Sequence, residues 1–281
     1  MTLPAGVGWT ALMTAYARAQ ERELVDDPWA RAVVDHAGEA ARLPDGRESG
    51  MWAALGTYFV TRSLFYDRQV LAAVDAGVDQ VVLLAAGFDG RAQRLGLPAD
   101  VTVFEVDTEE VLAFKDAAIA DAPGPTARRV DVRADLREDW PPALVAAGLD
   151  PHRPAVFLAE GLLMYLDEDQ SDRLLDAVGD LAAPSSRFVT EWFDRNPAGE
   201  PSLVGWPDER DNRTGAAVGA MFRSGPPLPP ESWLAAHGWE VLAVDDVGTH
   251  AAAVGRETPW MFDPAHADGL RVHLVAGVRG R

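Results

Sequence analysis

Apolar residues follow two different rhythms along this chain. Over residues 9–23 and roughly 51–76 they recur at helical spacing, with Trp52, Leu55, Phe59, Phe65 and Val70 marking the second stretch. Between these stretches, Leu43-Pro44-Asp45-Gly46 is a turn signal. From Val81 onward, short apolar runs alternate with amphipathic stretches, the pattern of a mostly parallel sheet covered on both faces. Strands are predicted at 81–86, 101–106, 128–132, 154–159, 186–191, 239–245 and 271–278. Helices are predicted over 108–121, 138–147 and 167–182. The last opens with Asp167-Glu168-Asp169, acids suited to the positive end of a helix dipole. Residues 195–230, rich in Pro, Gly and polar groups, read as a loop or lid with a short helix near 209–221. A helix over 231–237 follows, stopped by Gly238. The last two strands have no predicted helix between them, which makes them an antiparallel pair closing the sheet.

Composition narrows the classes. A chain of 281 residues suffices for one large α/β domain with an added cap. A net charge of −19 argues against nucleic acid and anionic membrane surfaces as partners. With no cysteine, disulfides, thiolate chemistry and Cys-ligated zinc are excluded. No metal-ligand spacing occurs, no apolar run reaches the ~20 residues of a membrane span, and the N-terminus lacks a signal-peptide pattern. A cytoplasmic location is the expectation.

The candidate chemistry starts at the first strand. Val81–Leu84 run into Ala85-Ala86-Gly87-Phe88-Asp89-Gly90, a glycine turn, and the second strand ends in Phe104-Glu105-Val106-Asp107. A carboxylate about 20 residues beyond such a turn is placed to hold a ribose hydroxyl, so an adenosine-containing cofactor is expected. The alternative for Asp107 is a cap on the following helix. Glu105 either assists at the same site or pairs with an arginine. Ala85 stands where a dinucleotide fingerprint has its first glycine. That matters less for S-adenosylmethionine (SAM), which has no pyrophosphate to approach the backbone. At the third strand's exit, Asp135-Leu136 can accept the adenine amino group and cover the ring, though Asp135 suits a helix cap equally well. At the fourth, Glu160-Gly161 lies where open α/β sheets bind ligands. A buried acid there needs a cationic partner, and the methionyl ammonium of SAM would serve.

These blocks together resemble the leucine carboxyl methyltransferase family, in particular its bacterial SAM-dependent O-methyltransferases, which include polyketide carboxyl methyltransferases. The similarity runs through Trp9-Thr10-Ala11 to Arg18-Ala19 with Asp27-Pro28, and through Val81 to Leu95 with Arg91 and Arg94. It continues in Phe104-Glu105-Val106-Asp107 with Lys115, and in Glu160-Gly161-Leu162-Leu163-Met164-Tyr165-Leu166. It extends more faintly to Gly238-Trp239 and Gly255-Arg256.

The resemblance implies a class I methyltransferase: a Rossmann-like α/β fold with a seven-stranded, mostly parallel sheet and one antiparallel strand. A helical cap over 1–78 and a SAM-binding core over 79–281 are implied with it. By position, Arg62 clamps the cofactor carboxylate, and Ala86, Gly87 and Phe88 form the turn against the methionyl part. Asp107 takes the ribose, Asp135 and Leu136 the adenine, and Glu160 and Gly161 the methionyl amino end. Tyr165 faces the acceptor and is the candidate catalytic residue. Ala85 and Gly90 depart from the family's usual Gly and Thr.

The implied reaction is O-methylation of a small molecule, a carboxylate of a polyketide or other secondary metabolite before a phenol or alcohol. A carboxylate acceptor is already ionised and needs no base, whereas a phenol would benefit from one. Of the six histidines only His250 is a candidate base. Trp9, Tyr16, Trp192, Phe193, Trp206 and Phe222 are expected near the acceptor, with Trp206 foremost. An NAD-dependent oxidoreductase and a non-catalytic SAM-binding protein are the alternatives.

Overall fold

The apolar runs at Val81 and Ala155 become the centre of a sheet, where β1 (Gln80–Leu84) and β4 (Ala155–Ala159) are buried at every residue. The computed structural model describes residues 7–38, 49–196 and 203–280. The turn signal at 43–46 and positions 197–202 of the expected lid lie outside the described residues.

The remaining strands are β2 (Thr102–Asp107), β3 (Arg128–Arg133), β5 (Arg187–Phe193), β6 (Trp239–Asp246) and β7 (Val272–Arg279). They order as β3-β2-β1-β4-β5-β7-β6, parallel except for β7, which runs antiparallel to both neighbours. The chain therefore reverses its direction of winding between β1 and β4. A crevice opens there beyond the carboxyl ends of the strands, the place where such sheets take ligands.

Helices cover both faces. In front of β1 come α1 (Val7–Gln20), α2 (Pro28–Ala37) and α3 (Gly50–Val74). After it come α4 (Arg91–Arg94), α5 (Glu109–Ile119), α6 (Pro141–Ala146), α7 (Glu168–Leu181), α8 (Glu209–Gly219), α9 (Pro230–Ala236) and α10 (Val247–Ala253). Asp167 and Gln170 form a reciprocal capping box at the start of α7, satisfying two donors that would otherwise lack partners.

Two expectations need correction. A helix, α10, does stand between β6 and β7, yet the two strands pair antiparallel as expected. Its start is marked by Asp246, whose carboxylate accepts from the Thr249 amide, so the signal was a local cap hidden behind an acidic strand end. The second helix, α2, was also absent from the reading, although Asp27 caps it and Pro28 occupies its first turn.

The N-terminal helices are continuous with the core of the sheet. Tyr58, Phe65, Tyr66 and Val70 of α3 pack with Val81, Leu83, Val156, Leu158 and Val189 on one face. Leu12 and Ala15 of α1 join Val33 of α2, Phe88 of the glycine turn and Phe114 of α5 in a second cluster. The outer strand β6 leaves Val241, Leu242 and Val244 exposed, with a bulge between Val241 and Ala243 that interrupts the sheet edge. No described helix is long and apolar enough to cross a membrane.

Candidate active site

All ten residues singled out from the sequence as site residues line one cavity of about 830 Å³ at the reversal point: Arg62, Ala86, Gly87, Phe88, Asp107, Asp135, Leu136, Glu160, Gly161 and Tyr165. What each does there follows from its backbone and partners.

The glycine turn leaves β1 through two residues in the left-handed region, Ala85 at φ 50° and Gly87 at φ 51°. Ala85 therefore holds, with a Cβ, a conformation that costs an L-residue roughly 1–2 kcal/mol. The residue that departs from the family's usual glycine thus takes the left-handed conformation itself. At Gly87 a Cβ would lie 3.1 Å from the Cβ of Ala11, so the turn sits closely under α1.

Asp107 closes the turn from the second strand. Its Oδ2 accepts the Gly87 amide at 2.7 Å and its Oδ1 accepts the Thr108 amide at 2.7 Å. The cap position of α5 is Thr108, so Asp107 does not cap that helix and its carboxylate stays on the cavity wall. Burial pushes its pKa up against the pull of these two amides. Glu105, two residues earlier, takes the second of its alternatives. It is fully buried and pairs with Lys115 at 2.6 Å and Arg129 at 2.8 Å, away from the cavity.

Asp135 is bound by its neighbour Arg137, whose guanidinium Nε and backbone amide each donate to Oδ1 at 2.9 Å, and the guanidinium chiefly lowers its pKa. It does not cap the helix that follows, since the cap position of α6 is Trp140. Phe88 packs its ring on Phe114, and its carbonyl accepts from Arg18 Nη2 at 2.6 Å.

Arg62 lies at the heart of the site. Its Nε donates to Glu160 Oε1 at 3.0 Å, and its Nη1 donates to Glu191 Oε1 at 2.8 Å and to the Tyr58 hydroxyl at 2.9 Å. Burial opposes the charge, but Glu191, Tyr58 and Glu160 outweigh it and the pKa is raised further. Its third nitrogen, Nη2, lies where a Cβ on Gly161 would come within 2.9 Å, which together with φ 66° explains glycine at that position.

Glu160 was expected to need a cationic partner, and the protein supplies two. Arg91 Nη2 stands 2.7 Å from Oε2 while Arg62 holds Oε1. Burial raises the pKa of Glu160, yet Arg91 and Arg62 overcome it and the net shift is downward. Arg91 is also bound to Asp67 at 2.8 Å and to Asp89. The pKa of Asp89 falls to about 2, because Arg91, Arg18 and Arg94 outweigh the burial that would raise it.

The sequence reading missed this buried lattice of Tyr58, Tyr66, Asp67, Asp89, Arg91 and Glu191. Two signals point to it. Tyr58, Arg62 and Tyr66 recur every four residues along α3, a stripe of polar groups on one face of the helix, and all three are buried. Glu191 interrupts the apolar run Phe188-Val189-Thr190-Glu191-Trp192-Phe193 of β5, and four donors converge on it: Arg62, Tyr58, Tyr66 and the Gly161 amide.

Tyr165 sits on a short 3₁₀ turn (Leu163–Tyr165), with its ring 5.5 Å from that of Phe222. Burial raises its pKa against a hydrogen bond with Thr10, so at neutral pH the phenol keeps its proton. Of the aromatic residues expected near an acceptor, Phe193 and Phe222 line the cavity and four do not. Trp206 packs on Trp260 with centroids 5.0 Å apart and against Gly50. Trp192 turns to the opposite face of the sheet against Trp233, and Tyr16 packs on Trp52. Trp9 is absent from the wall. None of the six histidines lines the cavity. His250 is buried on α10, beside Asp245 at 2.9 Å and edge-on to Phe65, which removes it as a base for this site.

Comparison with known proteins follows the same lines. The model of the leucine carboxyl methyltransferase family matches residues 8–179. A Mycobacterium tuberculosis protein bearing the name of a candidate S-adenosyl-L-methionine-dependent methyltransferase is 42% identical over 269 residues, covering 90% of this chain and 86% of its own. A Frankia alni protein with the same kind of name is 39% identical over 282 residues, covering 96% and 95%. Among solved structures, a candidate methyltransferase from Thermobifida fusca superposes with a TM-score of 0.54 at 20% identity, covering 96% of this chain and 94% of that one. It shares the fold.

Proposed function

Since this chain belongs to the leucine carboxyl methyltransferase family and is a SAM-dependent methyltransferase, we propose that it methylates an oxygen of a small-molecule acceptor, and that this oxygen is a carboxylate. Family membership displaces the NAD-dependent oxidoreductase considered from the sequence.

The cavity's donor set fits the cofactor. One end offers Asp107, a half-buried carboxylate with both oxygens pre-aligned by backbone amides, suited to a pair of ribose hydroxyls. The other offers the Nη2 of Arg62, which makes no hydrogen bond among the described residues, suited to the methionyl carboxylate. In this reading Asp135 and Leu136 border the adenine. Ala86, Gly87, Phe88 and Gly161 form the close walls, and Glu160 faces the methionyl amino group. When bound, SAM supplies a methyl group on a sulfonium, already activated for displacement.

The chain's own task is then to position and to exclude water. The observation that carries the carboxylate reading is the lack of a strong base on the described wall. Among the described residues no histidine lines the cavity, arginines lower the pKa of Glu160 and Asp89 and so weaken them as bases, Asp107 is taken up by two backbone amides, and Tyr165 keeps its proton. The wall's carboxylates are weak bases for a phenol, whose pKa is about 10, or for an alcohol, whereas a carboxylate acceptor arrives without a proton to lose. Tyr165 would donate a hydrogen bond to the acceptor and orient it.

Labelled methyl transfer from SAM into matched carboxylic acids and phenols tests the reading. Methyl esters should form, with kcat/KM flat from about pH 6 to 9. Phenyl ethers formed with a rising alkaline limb would overturn it.

A further inference from the structure

We infer that the acceptor is a monocarboxylic acid with a hydrocarbon body and no second polar group. This rests on the carboxylate reading and goes beyond it to the rest of the molecule. The cavity is divided by chemistry. Among the described residues, the charged groups on its wall belong to α1, to Arg62 of α3, to Asp107 at the end of β2 or to the segments following β1, β2, β3 and β4. The remaining wall, from the first half of α3, the end of β5, α8 with the residues just after it and the 3₁₀ turn Trp260–Phe262, presents Leu55, Phe59, Phe193, Val218, Phe222 and Phe262. Tyr58 is the polar side chain among the described residues of this sleeve, and its hydroxyl is turned away, shared between Arg62 at 2.9 Å and Glu191 at 3.1 Å.

One side of the sleeve is packed tightly at the backbone level. A Cβ on Gly215 would fall 1.6 Å from the Leu203 carbonyl oxygen, so α8 lies directly against the chain at Leu203. Hydroxyls at the other end come from Tyr165 and Thr10, which are hydrogen-bonded to each other beside the 3₁₀ turn. A carboxylate can exchange with that pair, while a hydroxyl or second charge carried into the sleeve would be stripped of water with no partner. The same surface rewards each methylene placed on it. An acid with an oxygen-rich body, as many polyketides have, is disfavoured by this wall.

The test uses the full chain saturated with S-adenosylhomocysteine and titrated calorimetrically with butanoate, hexanoate, octanoate and decanoate. Affinity should climb about fourfold per buried methylene, and ω-hydroxydecanoate and the matching diacid should each bind at least about tenfold more weakly than decanoate. Affinity that is independent of length, equal binding of the ω-hydroxy acid, or no binding of any of these acids would overturn the inference. Val218→Asp should cost decanoate at least about tenfold in affinity while S-adenosylhomocysteine still binds, and Val218→Leu should retain the chain-length trend. An Asp variant that binds decanoate normally also counts against the sleeve. Turnover with SAM separates the two levels. If decanol or an alkylphenol is methylated and decanoate binds without reacting, the carboxylate reading fails and the apolar sleeve stands.

Discussion

Arg62 Nη1 lies 2.8 Å from Glu191 Oε1, and the same oxygen accepts the Gly161 amide at 2.8 Å. One carboxylate, 1% exposed, thus holds two neighbouring parts of the cavity wall in register. Removing it would leave Arg62 with a buried charge that Glu160 alone must balance. Glu191→Ala is expected to destabilise the fold by about 3–5 kcal/mol, as when one partner of a buried pair is lost. Glu191→Gln should cost less. Urea unfolding of the two variants against the parent checks both, and equal stability of parent and Ala variant would show the pair to be dispensable.

Arg62→Lys keeps the charge and discards the planar fork. SAM affinity is expected to fall by more than about tenfold, or about 1.4 kcal/mol. Asp107→Ala should produce a loss of similar size from the opposite end of the cavity. Calorimetric titration with SAM reads both, and unchanged affinity in either would remove that residue from the cofactor assignment.

Gly161→Ala adds a single carbon at φ 66°, within 2.9 Å of Arg62 Nη2. Backbone strain of about 1–2 kcal/mol is expected in thermal or chemical unfolding. A displaced guanidinium should also weaken SAM binding by about tenfold. Loss of stability with undisturbed SAM affinity would mean that Nη2 does not face the cofactor.

Asp89 links pH to stability. Its pKa is depressed from 3.8 to about 2 by Arg91, Arg18 and Arg94 working against burial. The folded state therefore holds the ionised form more tightly than the unfolded chain does. The resulting stabilisation, about 2 kcal/mol, is fully present above the unfolded value and disappears as pH falls through the folded one. The stability difference between the parent and Asp89→Asn should accordingly shrink between about pH 4 and pH 2. A difference that stays constant through this window would assign the acid limb to other carboxylates.

Tyr165→Phe removes a phenol that lines the cavity beside Thr10. A loss of about tenfold in kcat/KM is expected, with no new ionisation in the pH profile, since the hydroxyl orients and does not accept a proton. Steady-state kinetics across pH would show it.

Much of this was legible in one dimension. Continuous apolar runs such as Val81–Leu84 and Phe157–Ala159 announce strands buried on both faces, and the interval from Gly87 to Asp107 reports a local crossover whose geometry hardly varies. Glu191 was not legible as a site residue, because its significance arises from α3, 129 positions away in sequence from Arg62. The Trp206 expectation failed for a related reason. A tryptophan in a polar stretch reads as exposed to ligand, whereas here it fills the space above Gly50. Asp107 and Asp135 each had a capping alternative that sequence could not dismiss, since caps depend on which backbone amide the side chain meets.

The partnership of Arg62 with Glu191 crosses the join between the leading helices and the strands behind them. A recombinant piece beginning at β1 would lack Arg62, the guanidinium paired to that acid among the described residues, and, with Arg18, the donor to the Phe88 carbonyl. Methyl donor and acceptor would meet in a vessel missing one side. The opening helices are thus stitched into the catalyst itself, and trimming them should silence the enzyme rather than shorten it.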